Sequence, residues 1–166
     1  MPDKATLERA KKDKREGKAP TTQAGEFVRE EIEHIREGKH GARSTKQAIA
    51  IGLSKARRAG VDLPPPEKGS TSEKTRQSAA SAYRAGQRGG EQVSSTRSRA
   101  TTDALKREGH AAASKKALAK HAHVVAAGKP ASERSAAARK AVKTKGAAGR
   151  SAAAKKAART RSRTGK

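Results

Sequence analysis

QAGEFVREEIEHIREGKHGARSTKQAIAIGLSKARRAGVDLPPP, residues 23–66, holds two apolar stripes on either side of a glycine-bounded turn. Phe27, Val28, Ile32 and Ile35 follow one another at spacings of one, four and three, which is the period of a helix face. That stripe predicts a helix over about 22–37. Thr21 or Thr22 is its N-cap, Gly38 follows its end, and Glu26, Glu30, Glu31 and Glu33 make its polar face. The second stripe is Ile49, Leu53 and Ala56, on a helix over about 45–59. Ser44 and Gln47 fit a capping box at its start, and Gly60 ends it. Val61 and Leu63 are positioned to fold back on it. Two amphipathic helices joined by residues 38–43 form a helical hairpin.

Upstream, residues 4–16 form a third helix with Leu7 as its one large apolar side chain. Such a helix is expected to fray. Downstream, Pro64-Pro65-Pro66 cannot continue a helix and marks a boundary. Residues 1–66 carry 15 Lys+Arg and 10 Asp+Glu, whereas residues 67–166 carry 25 and 6. Of 18 Met, Leu, Ile, Val, Phe and Tyr in the whole chain, 11 precede the boundary. With 166 residues, a net charge of +24 and so few large apolar side chains, the composition is that of a chain that cannot bury a core along its whole length.

The expected fold class is therefore mostly α with extensive disorder: a small N-terminal helical hairpin or three-helix segment, then a basic, largely disordered tail with transient helices. Residues 67–108 read as a Ser/Thr/Gly/Arg-rich linker with weak helices near Tyr83 and Leu105, separated at Gly89-Gly90. Residues 109–166 read as the tail, with 16 Lys+Arg, 20 Ala and Glu133 as the single acid. Its RSAAARKA (134–141) returns as RSAAAKKA (150–157), sixteen residues on. On a helix, Arg139, Lys140 and Lys143 share one side, with Ala137, Ala138, Ala141 and Val142 opposite.

A stretch so unbalanced in sign, and without aromatics, is suited to binding a polyanion. The expected DNA-contacting residues are Lys115, Lys116, Lys120, Arg134, Arg139, Lys140, Lys143, Lys145, Arg150, Lys155, Lys156, Arg159, Arg161 and Arg163. Lys39, Arg43, Ser44, Thr45 and Lys46 converge on a helix N-terminus and make a second candidate contact. Phe27 and Tyr83 are the only aromatics apart from histidine, so base stacking contributes little, which favours double-stranded DNA over RNA.

The absence of Cys excludes disulfides and thiolate chemistry. His121 and His123 diverge on a helix, and His34 and His40 straddle a helix end, so neither pair reads as a metal site. No nucleophile–base arrangement is visible. The expectation is a non-enzyme without cofactor or metal. It would be cytoplasmic, associated with the nucleoid and not with a membrane. A homodimer through Phe27, Ile32, Ile35, Ile49 and Leu53 would cover the hairpin's remaining apolar surface. The alternatives are an RNA- or ribosome-associated basic protein, or a protein-interaction module with a basic localising tail.

The tail segments RSAAARKA, RSAAAKKA and ASKKALAK resemble the Lys/Ala-rich tails of linker histones and of bacterial linker-histone-like nucleoid proteins. Residues 23–66 resemble a family of small basic proteobacterial proteins that carry a provisional DNA-binding label. The resemblance of residues 23–66 implies a bacterial nucleoid setting and supplies no mechanism; with the charge of the tail, the expectation is a histone-like protein that binds and condenses double-stranded DNA. The tail's resemblance does not extend to the linker-histone winged helix, for which no strand pattern is present.

Overall fold

The structure, a computed structural model, describes residues 2–89 and 94–164, apart from the side chains of Lys145 and Thr164. Gly90, read above as part of a helix separator, lies outside the described residues. The described residues form seven α-helices: α1 (Lys4–Arg15), α2 (Pro20–Arg36), α3 (Thr45–Arg58), α4 (Glu73–Gln87), α5 (Ser95–Lys106), α6 (Lys115–Ala127) and α7 (Ala131–Thr164). A 3-10 turn, Ala111–Ala113, precedes α6. The chain divides into two compact units, Met1–His121 and Ala122–Lys166.

Local sequence rules set the ends of the first three helices. Pro20 occupies the first turn of α2, where its missing N–H costs nothing, so the N-cap is Ala19 and not the expected threonine pair. Ser44 Oγ accepts from Gln47 N at 3.2 Å, and Gln47 Oε1 accepts from Arg43 N at 2.8 Å. This is the reciprocal cap read from the sequence, displaced by one residue on the glutamine arm. At the other ends, Gly17, Gly38 and Gly60 all have positive φ. The amides of Lys18, Lys39 and Val61 each return to a carbonyl five residues earlier, which is the Schellman closure.

Helix α2 is the centre of the first unit and packs on α1 and α3; α4 packs on α3. Phe27 and Ile35 are fully buried. One cluster joins Phe27 to Ala10, Ala24, Ala56 and Val61, with Leu7 against it. The other joins Ile32 and Ile35 to Ala42, Ala48, Ala112 and Ala113, with Leu118 against it. Thus α1 is docked and not frayed. The expected docking of Val61 and Leu63 is present, and the buried Arg57 holds that segment by donating Nε to Leu63 O (3.0 Å) and Nη2 to Pro64 O (3.3 Å).

The expectation of extensive disorder is wrong. Helices cover most of the described chain, including residues expected to be linker and disordered tail. The misjudgement came from counting large apolar side chains. Ala79, Ala82 and Ala85 of α4 and Ala112 and Ala113 of the 3-10 turn are buried, so small side chains make the contacts. Close backbone approach substitutes for bulk. A Cβ on Gly52 would lie 2.7 Å from Val28 Cα, and one on Gly86 would strike the Arg57 carbonyl. In the tail, the intrinsic helix preference of Ala, Lys and Arg prevails over like-charge repulsion.

Gly52→Val should therefore force α2 and α3 apart. The expected loss is about 2 kcal/mol, within the range for overpacking, read as a lower urea midpoint at unchanged m-value. An unchanged midpoint would mean that the α2–α3 contact carries little of the stability.

Candidate nucleic-acid interface

Helix α7 is two helices in succession. Gly146 has φ 63° and ψ 177°, a conformation open essentially to glycine alone, and it interrupts the helix at mid-length. The sixteen-residue repeat straddles this break. Arg134, Arg139, Lys140, Lys143 and Lys145 correspond to Arg150, Lys155, Lys156, Arg159 and Arg161. Arg139, Lys140 and Lys143 thus share one side of the first half and Lys155, Lys156 and Arg159 one side of the second, with Arg134 and Arg150 towards the alanine side of each.

Arg134, Arg139, Lys140, Lys143, Arg150, Lys155, Lys156, Arg159, Arg161 and Arg163 are all exposed. The Lys145 side chain lies outside the described residues. Arg150 also acts within the helix, where its Nη1 donates to Val142 O at 3.1 Å and satisfies a carbonyl at the end of the first half. Val142 itself remains 48% exposed, so the alanine side of the first half is not a core face. Lys115, Lys116 and Lys120 are exposed on the first turns of α6.

In the second candidate contact, Lys39, Arg43, Ser44 and Lys46 are exposed and Thr45 is not. Thr45 is buried and donates Oγ1–H to Ala112 O at 2.7 Å, and Ser44 is occupied as the cap. Lys39 Nζ pairs with Glu37 Oε2 at 3.0 Å, while Arg43 and Lys46 are exposed. Residues 105–113 close over this turn: Gly41 N donates to Leu105 O and Ala42 N to Gly109 O. A Cβ on Gly41 would collide with the Glu108 carbonyl. Of the residues expected to form a homodimer, Phe27, Ile32 and Ile35 are already buried within the chain. Ile49 and Leu53 line a shallow cleft together with Arg57, Pro66, Thr75 and His121.

Sequence reasoning missed a buried polar cluster. Glu30 and Glu31, expected on a solvated face, are 2% and 0% exposed. Lys55 Nζ stands 2.6 Å from Glu31 Oε2 and 3.9 Å from Glu30 Oε1, and His40 Nε2 stands 3.3 Å from Glu31 Oε1. These are ion-pair distances without hydrogen-bond directionality; Glu30 Oε1 and both Glu31 oxygens lack a well-aligned donor. His34 Nε2 lies 3.3 Å from Asp3 Oδ2, and the two imidazoles meet edge to face with centroids 6.2 Å apart. A signal was available. Glu31 lies four residues after Phe27 and four before Ile35, inside the apolar stripe, and Lys55 adjoins Ala56 and Gly52 on the matching face of α3.

Residues 11–68 match the model of a family of unknown function, DUF6496. The match runs from α1 through the proline segment and ends before α4 and the basic tail. No curated protein and no solved structure matches the chain. Among the described residues, no helix is long and apolar enough to cross a membrane.

Proposed function

We propose that this protein is an architectural nucleic-acid-binding protein that coats double-stranded DNA through phosphate contacts, with weak sequence preference. The observation that carries the reading is the repeated, exposed cation pattern on the two halves of α7, accompanied by Glu133 as the tail's single acid. Cations on alanine-rich helices can neutralise phosphates and release counterions. Without aromatics the tail has few surfaces on which to stack bases, which suits contact with the phosphates of a duplex. The packed first unit then serves as a folded head, in which Ile49 and Leu53 are the apolar residues left for any homodimer contact. A nucleoid setting in bacteria, as the tail's resemblance to linker-histone-like proteins suggests, fits this reading.

The test is competition at one salt concentration. Genomic and scrambled duplexes of equal length should displace a labelled duplex almost equally. A marked preference for one duplex site, lost on changing Arg43 or Lys46, would replace this reading with a site-specific regulator. Tighter binding to structured RNA than to duplex DNA would make RNA the partner.

A further inference from the structure

The cluster at the end of α2 has the form of a metal site, and nothing in the tail's chemistry accounts for it. Glu31 and His34 are one helical turn apart and share a face of α2. The left-handed Gly38, closed by Lys39 N to His34 O at 3.0 Å, turns the chain back so that His40 meets them. The donor atoms of Glu31, His34 and His40 all lie within 4.8 Å of one another.

Hydrogen bonding narrows what can occupy the space between them. His40 Nδ1 is 3.1 Å from Gly41 O. A carbonyl only accepts, so Nδ1 carries the proton, and the bond fixes the ring as a second partner fixes a metal-binding histidine. His40 Nε2 then faces Glu31 Oε1 at 3.3 Å. Two lone-pair atoms at that distance need a proton or a metal ion between them. The separation equals the edge of a tetrahedron with metal–ligand bonds of about 2.0–2.1 Å. Glu31 is 0% exposed, and Oε1 lacks a well-aligned donor. Lys55 attends the other oxygen, Oε2, so it neutralises charge without occupying the ligand position. The two histidine side chains are 14% and 12% exposed, which leaves a route from solvent.

We propose that Glu31, His34 and His40 bind one divalent transition-metal ion of the zinc class. Two imidazoles and one carboxylate are a donor set that suits zinc and disfavours magnesium or calcium. Three protein ligands leave a fourth position for water or for Asp3, whose Oδ2 already lies 3.3 Å from His34 Nε2. The ion would tie the end of α2 to the following turn and satisfy the buried Glu31 carboxylate.

Zinc titration of the full-length protein by calorimetry, in buffer without phosphate or nucleic acid, tests this. One zinc per chain is expected at micromolar concentration, with a raised thermal midpoint. His34→Gln and His40→Gln should each weaken binding about a hundredfold, at least as much as losing a residue that only hydrogen-bonds to a metal ligand. His121→Gln/His123→Gln should leave it unchanged. Cobalt added to the unaltered protein should give the visible absorption of a four-coordinate site, a readout that does not depend on any variant folding. Zinc binding that persists in both single variants, or the absence of one-to-one binding to the full chain, would overturn the proposal. Either outcome leaves the DNA-binding reading untouched, because that rests on α7.

Discussion

Replacing Arg134, Arg139, Lys140, Lys143, Arg150, Lys155, Lys156 and Arg159 by Gln should weaken duplex DNA binding by roughly a thousandfold at moderate salt. All eight side chains are exposed, and Gln is nearly as good a helix former as Lys or Arg, so the helices should persist. The energetic argument is counterion release. Each phosphate neutralised contributes about −0.9 to the slope of log affinity against log salt, so removing eight engaged cations should flatten that slope by up to about 7. Circular dichroism of the variant should match the parent, except for a small loss at the Arg150–Val142 contact. The variant is a cleaner instrument than truncation from residue 109. Truncation would also delete buried Ala112 and Ala113, together with the carbonyls that receive Thr45 Oγ1 and Arg36 Nε. If affinity and slope are both unchanged, the tail is not the binding element and the architectural reading fails.

The contrast between what was legible in the sequence and what was not follows from how much each residue type constrains its surroundings. Helices α2 and α3 were legible because Phe27, Ile32, Ile35, Ile49 and Leu53 must be hidden, and because Ser44, Gln47, Gly38 and Gly60 serve narrow stereochemical purposes. Alanine imposes no such demand. It is equally acceptable in solvent and in a core, so Ala48, Ala56 and Ala113, all fully buried, were indistinguishable from the exposed alanines of α7. The same indifference made a folded chain look disordered: 35 Ala contribute little to hydropathy, yet several of them are core, while Gly52 and Gly86, which lack a Cβ, permit close backbone approach. The tail's excess of positive charge was legible in the sequence, but its helicity was not, because propensity and repulsion oppose each other and composition does not weigh them. Thr45 was misread for a different reason. Its partner, Ala112, is 67 residues away, and no local pattern announces that contact.

The second large effect is expected in the folded head. Lys55→Met should destabilise the first unit by about 3–5 kcal/mol, the usual cost of removing one partner from a buried ion pair. Glu31 is 0% exposed and the Glu30 side chain 3%, while the Lys55 side chain is 25% exposed. Lysine thus stays near water, and the carboxylates depend on it for neutralisation. The methionine fills much of the space of the lysine stem, so the loss is electrostatic and not a cavity effect. A change of this size in a unit of 121 residues should lower the melting midpoint by on the order of 10 °C or more. The measurement belongs in a chelating buffer, so that no bound cation replaces the ammonium. Lys55→Met combined with Glu31→Gln should recover a large part of the loss, because a neutral amide no longer needs a counter-charge; the residual deficit belongs to Glu30. Since the two side chains touch, the recovery should appear as a non-additivity of about 1 kcal/mol or more in the double-mutant cycle, within the roughly 0.5–3 kcal/mol seen for coupled neighbours. Additive losses in the two single variants would show that Lys55 and Glu31 stabilise the head independently, and would remove the electrostatic account of why two glutamates lie against α3.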